Sequence, residues 1–213
     1  MTTAVIVSLL FPVTSILAAD FSNFSPAPDL NKQVIIQKSV NDPRFSEQIS
    51  LNQLNLPVVW DITTGSNLVV AVIDTGINLS HEELQGKAWV NADEIPNNSR
   101  DDDGNGYIDD YHGYNFMANN ADLSDHNGHG TGVSSVIAAN TNNAKGIAGI
   151  NWQAKIMVLK ALNTAGGGEY IDVANALRYA ADNGANVVNM SFGTYFDSID
   201  LSSAVNYALD KGV

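Results

Sequence analysis

The chain has 213 residues, and its 10 Lys and Arg against 23 Asp and Glu give a net charge of −13. This acidic excess argues against a nucleic-acid partner, because phosphate binding needs clustered cations. A hydrophobic content of 45% is that of a globular protein with a packed core. The absence of cysteine excludes disulfides, Cys-ligated zinc, a cysteine nucleophile and thiol redox chemistry.

The N-terminus begins with an apolar run, residues 1–19, that proline and hydroxyl residues interrupt. The run is too broken for a stable membrane span, and small residues precede Asp20, so it predicts a cleaved signal peptide and a secreted or extracytoplasmic protein. No Lys or Arg precedes the run, and a buried N-terminus is therefore the alternative. Residues 20–40, with one strand-like stretch at 34–38, are predicted to be a linker or short pro-segment.

From residue 41 onward, short apolar runs alternate with amphipathic stretches, which predicts one α/β domain with three layers (α/β/α) and a mainly parallel sheet. One predicted helix has Asp172 as its N-cap and ends near Gly184, and a second ends at Gly212. The three continuous apolar runs, typical of strands buried on both faces, are Leu68–Ile73, Lys155–Leu162 and Asn186–Met190.

The sequence stops at Val213, directly after the second predicted helix. So few core strands would leave an open sheet edge, which native proteins avoid. We therefore expect residues 41–213 to be the N-terminal portion of a domain that is truncated at its C-terminus.

Residues 91–127 are rich in Asp, Asn and Gly and are predicted to form a long loop, a feature typical of function or metal binding. Its sequence DDDGNGYIDD has oxygen ligands at the spacing of an EF-hand loop, which predicts Ca²⁺ binding, with a solvated acidic loop as the alternative. Position 12 holds His112 in place of Glu. The residues at positions 1, 3, 5, 7 and 9 are Asp101, Asp103, Asn105, Tyr107 and Asp109.

Two residues suggest catalysis. Asp74 ends the first apolar run, and the carboxyl ends of parallel strands are where active sites assemble. His129 stands between glycines ahead of an apolar stretch that predicts a helix. Each alone has an ordinary explanation as a turn residue, but together they supply two of the three members of an Asp-His-Ser relay.

Three motifs, in this order and spacing, resemble the subtilisin-like serine proteases, the subtilases, over about residues 41–213. The motifs are Val-Ile-Asp74-Thr-Gly, Asn127-Gly-His129-Gly-Thr and Asn189-Met-Ser191-Phe-Gly193. The resemblance implies a serine endopeptidase in which Asp74 and His129 are the first two triad members. The Gly-Thr-Ser-Met-Ala motif of the nucleophile is not present in these 213 residues, and Ser191 is not its equivalent.

The same resemblance implies how an extended polypeptide substrate would bind. Ser191, Phe192 and Gly193 match the strand that lines the specificity pocket. Gly166, Gly167 and Gly168, ahead of Tyr170, match an edge strand that pairs with the substrate backbone. Glu83 and the segment 140–143 match a further family calcium site. Nothing in the sequence fixes the oligomeric state, and a monomer is expected.

Three other interpretations remain open from the sequence. Asp-Thr-Gly is also the signature of aspartic proteases, which are all-β and need a second aspartate. The acidic loop also suits a calcium-dependent surface module. A non-catalytic protease homologue is the third, because the nucleophile is not among these residues.

Overall fold

The computed structural model describes residues 40–194 and 196–213. The predicted signal peptide and almost all of the predicted linker lie outside the described residues. Within the part described, no helix has the length and apolar character needed to cross a membrane.

A four-stranded sheet forms the centre of the fold, and every neighbouring pair in it is parallel. The spatial order is β2-β3-β1-β4. Strands β1 and β3 run in register, so that Asp74 lies opposite Lys160. The strands are β1 (Val69–Asp74), β2 (Gly113–Asn115), β3 (Lys155–Lys160) and β4 (Val187–Asn189). The predicted parallel sheet is confirmed, and β2 is an addition, a three-residue strand within the polar region 91–127.

Helices cover both faces of the sheet. The described helices are α1 (Ile49–Gln53), α2 (Leu56–Ile62), α3 (His129–Ala138), α4 (Tyr170–Asp182) and α5 (Ile199–Lys211), with a 3₁₀ turn at Phe45–Glu47. Alternate residues of β1 face opposite layers: Val70 and Val72 pack in the cluster beneath α3, whereas Ala71 and Ile73 pack with α4 and α5. This alternation explains the continuous apolar run, and the three-layer α/β/α prediction is confirmed.

The segment before β1 is attached through its own small core. Leu51 and Trp60 pack with Ala148, and the rings of Trp60 and Trp152 are 5.4 Å apart. The Trp60 indole also donates to the Ile150 carbonyl at 3.0 Å. The α1–α2 segment therefore belongs to the domain and not to the N-terminal extension.

The helix ends differ in part from the sequence expectation. The N-cap of α4 is Glu169, and Asp172 lies inside the first turn, so the predicted cap is wrong. A carboxylate in the first turn still interacts favourably with the positive end of the helix dipole. The predicted stop of α5 is confirmed, because Gly212 is its C-cap with a left-handed φ of 89°.

Candidate active site

The structure brings Asp74 and His129 together. Asp74 is the last residue of β1 and its side chain is 1% exposed, whereas His129 is the first residue of α3 and its side chain is 49% exposed. The His129 Nδ1 atom lies 2.9 Å from both carboxylate oxygens of Asp74. A carboxylate accepts hydrogen bonds, so this contact suits the neutral imidazole tautomer that has its proton on Nδ1. In that tautomer Nε2 has a free lone pair and can act as a base.

Glycine makes the close approach of the two elements possible. Gly128, the N-cap of α3, has a φ of 95°, in the left-handed region that favours glycine. A Cβ atom at Gly130 would lie 2.2 Å from the Gly76 carbonyl oxygen and 3.1 Å from the Asp74 Oδ1 atom. The start of α3 therefore rests directly against the end of β1, which sets the distance between imidazole and carboxylate.

Asp125, four residues before His129, holds the turn that leads into α3. Although its partial burial would raise the carboxyl pKa, hydrogen bonds from Thr131, Gly128 and Thr75 outweigh this effect and lower the pKa to about 2. Asp125 was not among the residues predicted from the sequence. An aspartate ahead of a helix in a Gly/Asn-rich run is a typical capping residue, and this was the available signal.

The same turn is attached to β3 and to the loop that follows it. The buried Lys160 ammonium donates to the Ser124 carbonyl at 2.5 Å. The Asn127 amide donates to the Thr164 carbonyl at 2.8 Å. These contacts hold the turn on the side that faces β3. The sequence did not indicate a role for Lys160, because a lysine at the end of an apolar run is normally expected to be exposed.

A cavity of about 230 Å³ brings together most of the predicted substrate-binding residues. Gly166, Gly167 and Gly168 form one wall and Phe192 and Gly193 another. Its remaining lining residues are Leu162, Tyr170, Val173, Thr194, Phe196 and Leu201. The walls are mainly apolar, so the cavity suits an apolar side chain.

Two of the predicted subsites have a different local structure in the chain without substrate. The Gly166–Gly168 segment is not a strand: Gly166 has a φ of 82° and closes a turn through a 2.9 Å bond from its amide to the Asn163 carbonyl. Glycine has low strand propensity and no side chain to pack, which explains the turn. Ser191 follows the end of β4 and does not line the cavity; its hydroxyl accepts from the Asn189 amide at 2.9 Å.

In the acidic loop, a candidate metal centre consists of Glu94, Asp101 and Asp103, whose ligand oxygens lie within 4.8 Å of one another. Glu94 is buried, and its Oε1 atom has no hydrogen-bond partner. Burial raises the pKa of Glu94 to about 7. An unpartnered buried carboxylate oxygen beside two further carboxylates fits a hard cation with oxygen ligands, so the residues present fit calcium.

The other residues predicted as calcium ligands have different partners. The Asn105 amide donates to Asp103 and Asp110 at 2.9 and 2.8 Å. The Tyr107 ring packs edge-on against the ring of Tyr179 at a centroid distance of 5.0 Å, which leaves open the prediction that its backbone carbonyl binds the cation. Asp109 accepts from the backbone amides of Asn98 and Ser99 and is not a member of the cluster. The EF-hand spacing thus identified the loop but missed Glu94, which precedes the motif.

The second predicted calcium region shows a similar feature. Glu83 is buried, its Oε2 atom has no partner, and burial raises its pKa. The side-chain amide of Asn143 donates to Glu83 Oε1 at 3.4 Å. The Asp42 carboxylate accepts from the backbone amides of Asn142 and Asn143. The structure therefore brings Glu83 together with the segment 140–143, and adds Asp42, which the sequence analysis did not name.

A buried aspartate at the end of a parallel strand, bonded to a half-exposed histidine at a helix start, has the geometry of the aspartate and histidine of an Asp-His-Ser relay. Residues 65–213 match the subtilase family (Peptidase_S8). The chain belongs to the subtilase family. An aspartic protease is excluded, because such an enzyme is all-β and pairs two carboxylates.

Curated relatives are consistent with this family. The chain is 36% identical to thermitase of Thermoactinomyces vulgaris over 81% of this chain and 54% of that protein. It is 35% identical to the halolysin-like extracellular serine protease Nep of Natrialba magadii over 72% of this chain and 26% of that protein. The chain thus spans at most about half the length of these relatives.

Solved structures agree. A protease of Pseudoalteromonas arctica superposes with a TM-score of 0.62 at 28% identity, covering 81% of this chain and 56% of that one. Sphericase superposes with a TM-score of 0.55 at 31% identity, covering 70% and 44%.

Proposed function

We propose that this chain carries the aspartate and the histidine of the catalytic triad of a serine endopeptidase. The observation that supports the proposal most directly is the contact of His129 Nδ1 with both oxygens of the buried Asp74 at 2.9 Å. An imidazole held in this way keeps Nε2 available to accept a proton. The family motif that contains the serine is not among these residues, so the proposal assigns the serine to a segment other than residues 1–213.

The proposed mechanism has two halves. His129 takes the proton of the serine hydroxyl as the serine oxygen attacks the scissile carbonyl, and it then gives that proton to the leaving amine. Water hydrolyses the acyl-enzyme with His129 again acting as base. Asp74 stays ionised, orients the ring and stabilises the imidazolium that forms in each half.

The proposed substrate is an extended polypeptide. The cavity of about 230 Å³ between the Gly166–Gly168 turn and Phe192 accepts an apolar side chain. Glycines on one wall allow the substrate backbone to approach closely. The residues proposed for substrate binding remain Gly166, Gly167, Gly168, Tyr170, Ser191, Phe192 and Gly193, with Ser191 outside the cavity.

Calcium is proposed as a structural cofactor. Glu94, Asp101 and Asp103 would hold it, with Glu94 in place of the sequence-predicted Asp109, and Glu83 with Asp42 is a second candidate position. A bound cation would supply the counter-charge that these carboxylates need at close range. Binding to the folded state alone stabilises by about 2.7 kcal/mol at a hundredfold excess over Kd.

The calcium proposal is tested by melting the protein with millimolar calcium and with a chelator. Calcium should raise the Tm of the wild type, and Glu94→Gln should abolish or greatly reduce that rise. Asp93→Asn is the matched control, because it removes the same charge from an exposed neighbour. Identical Tm values in calcium and chelator would contradict the proposal.

Export is proposed from the N-terminal apolar run, and a relative described as extracellular supports it.

The endopeptidase proposal is tested on the chain extended by the coding sequence that follows residue 213. We expect casein hydrolysis and labelling by a fluorophosphonate, both lost in His129→Ala. Calcium binding without labelling or hydrolysis would favour a non-catalytic homologue.

A further inference from the structure

The carboxylate of Asp125 lies between the two elements that carry Asp74 and His129. Its Oδ1 atom accepts from the Thr75 hydroxyl at 2.9 Å, on the residue next to Asp74. Its Oδ2 atom accepts from the Thr131 amide at 2.9 Å and from the Thr131 hydroxyl at 2.7 Å, within the first turn of α3. One side chain thus ties the end of β1 to the start of α3.

Thr75 extends this tie into a second contact that runs beside the Asp74–His129 pair. Its hydroxyl donates to Asp125 and accepts from the amide of Gly130 at 3.1 Å. Thr75 follows Asp74 and Gly130 follows His129, so the two contacts are displaced by one residue on each element. Thr75 is also buried, which strengthens a hydrogen bond relative to one in water.

The turn before His129 closes on the same carboxylate. The amides of Asn127 and Gly128 donate to Asp125 Oδ1 at 3.0 and 2.8 Å. With the bonds from Thr75 and Thr131, the carboxylate accepts five hydrogen bonds and donates none. Only an anion with two acceptor oxygens can satisfy donors on both sides, because an amide in its place would turn an N–H₂ group toward one set of them.

We propose that Asp125 is a positioning residue, which holds the start of α3 against β1 so that the His129 ring meets Asp74 through Nδ1. Its catalytic consequence rests on the proposed endopeptidase function. The competing explanation is that Asp125 only stabilises the helix N-terminus, as any carboxylate there does. That explanation predicts a loss of stability with no change at the His129 ring.

The ring tautomer distinguishes the two explanations and does not require the serine. In the 213-residue chain with ¹⁵N-labelled histidine, the nitrogen chemical shifts report whether Nδ1 or Nε2 carries the proton. Wild-type His129 should be mainly in the Nδ1–H form. Asp125→Asn should shift it toward the Nε2–H form at a temperature where the variant is still folded, and Asp74→Asn should do the same.

Asp122→Asn is the matched control, because its carboxylate accepts from the backbone amide of Ser124, whereas the hydrogen bonds from Thr75 and Thr131 go to Asp125. It should leave the tautomer unchanged. The pair Thr75→Val and Thr75→Ser covers the case in which Asp125→Asn does not fold. Loss of the hydroxyl in Thr75→Val should shift the tautomer, and Thr75→Ser should restore it.

A folded Asp125→Asn or Thr75→Val variant with the wild-type tautomer would overturn the proposal, whatever its Tm. In an active, complete protease, a misplaced base should lower kcat by about 100-fold with little change in KM. The two proposals fail separately: full activity in Asp74→Asn would contradict the endopeptidase mechanism, whereas full activity in Asp125→Asn would contradict only the positioning role.

Discussion

Replacing Gly130 with alanine should separate the two elements of the active site. The added Cβ would lie 2.2 Å from the Gly76 carbonyl oxygen, where ordinary contact begins at 3.4 Å, so the backbones must part by about 1 Å. Both sides of the clash are backbone or the Asp74 side chain, and neither can rotate away. Overpacking of this kind costs about 1–3 kcal/mol of the free energy of unfolding.

Gly132→Ala provides the control in the same helix. Apart from the adjacent residues and the backbone of its own helix, no heavy atom lies within 4 Å of a Cβ at this position, so alanine should increase stability by about 0.5–1 kcal/mol through its higher helix propensity. Urea unfolding of both variants measures the difference, and the His129 nitrogen shifts report whether the ring has left Asp74. Equal stability of the two variants, with an unchanged ring in Gly130→Ala, would refute the packing argument.

Three further outcomes are expected. Hydrogen bonds lower the pKa of Asp125 to about 2, so its carboxylate stabilises the fold at any pH above the ordinary carboxyl pKa of 3.8, and this stabilisation is lost as the pH falls toward 2. Asp125→Asn should reduce the loss of stability between pH 5 and pH 2.5, measured by urea unfolding, by about 1–2 kcal/mol after allowance for solvent screening. Tyr179→Phe removes a 2.6 Å hydrogen bond to the fully buried Asp110 and should cost about 1–3 kcal/mol in the same assay, whereas no measurable loss would show that the carboxylate is satisfied without it. The 213-residue chain should not be labelled by a fluorophosphonate, and labelling at Ser191 would disprove the assignment of the nucleophile to another segment.

The layers of the fold could be predicted because its signals are local. Leu68–Ile73 and Lys155–Leu162 are continuous apolar runs, and burial on both faces of a parallel sheet accounts for them. Strand β2 could not be predicted: Gly113–Asn115 is too short for any periodicity, and it exists because β3 offers it hydrogen-bonding partners. The α4 cap was missed by three residues, since Glu169 caps with no side-chain hydrogen bond.

Asp74 and His129 could be predicted because each lies in a motif of its own, although the two residues are 55 positions apart in the chain. Site residues that lie outside any motif could not be predicted. Glu94 lies outside the EF-hand spacing and joins Asp101 and Asp103 only in three dimensions. Asp125 has the sequence context of an ordinary capping residue, and its contact with Thr75, which is 50 residues away along the chain, is seen only in the structure.

The central claim is that Asp74 orients His129 as the base of a serine protease. The most direct test is the value of kcat for Asp74→Asn in the complete, active protein, measured with a peptide substrate across the pH range. We expect kcat to fall by about 10⁴-fold, the effect of the equivalent change in another Asp-His-Ser enzyme, because an amide side chain can hold the ring in the wrong tautomer. A correctly folded Asp74→Asn variant with kcat within a few-fold of the wild type would contradict the account.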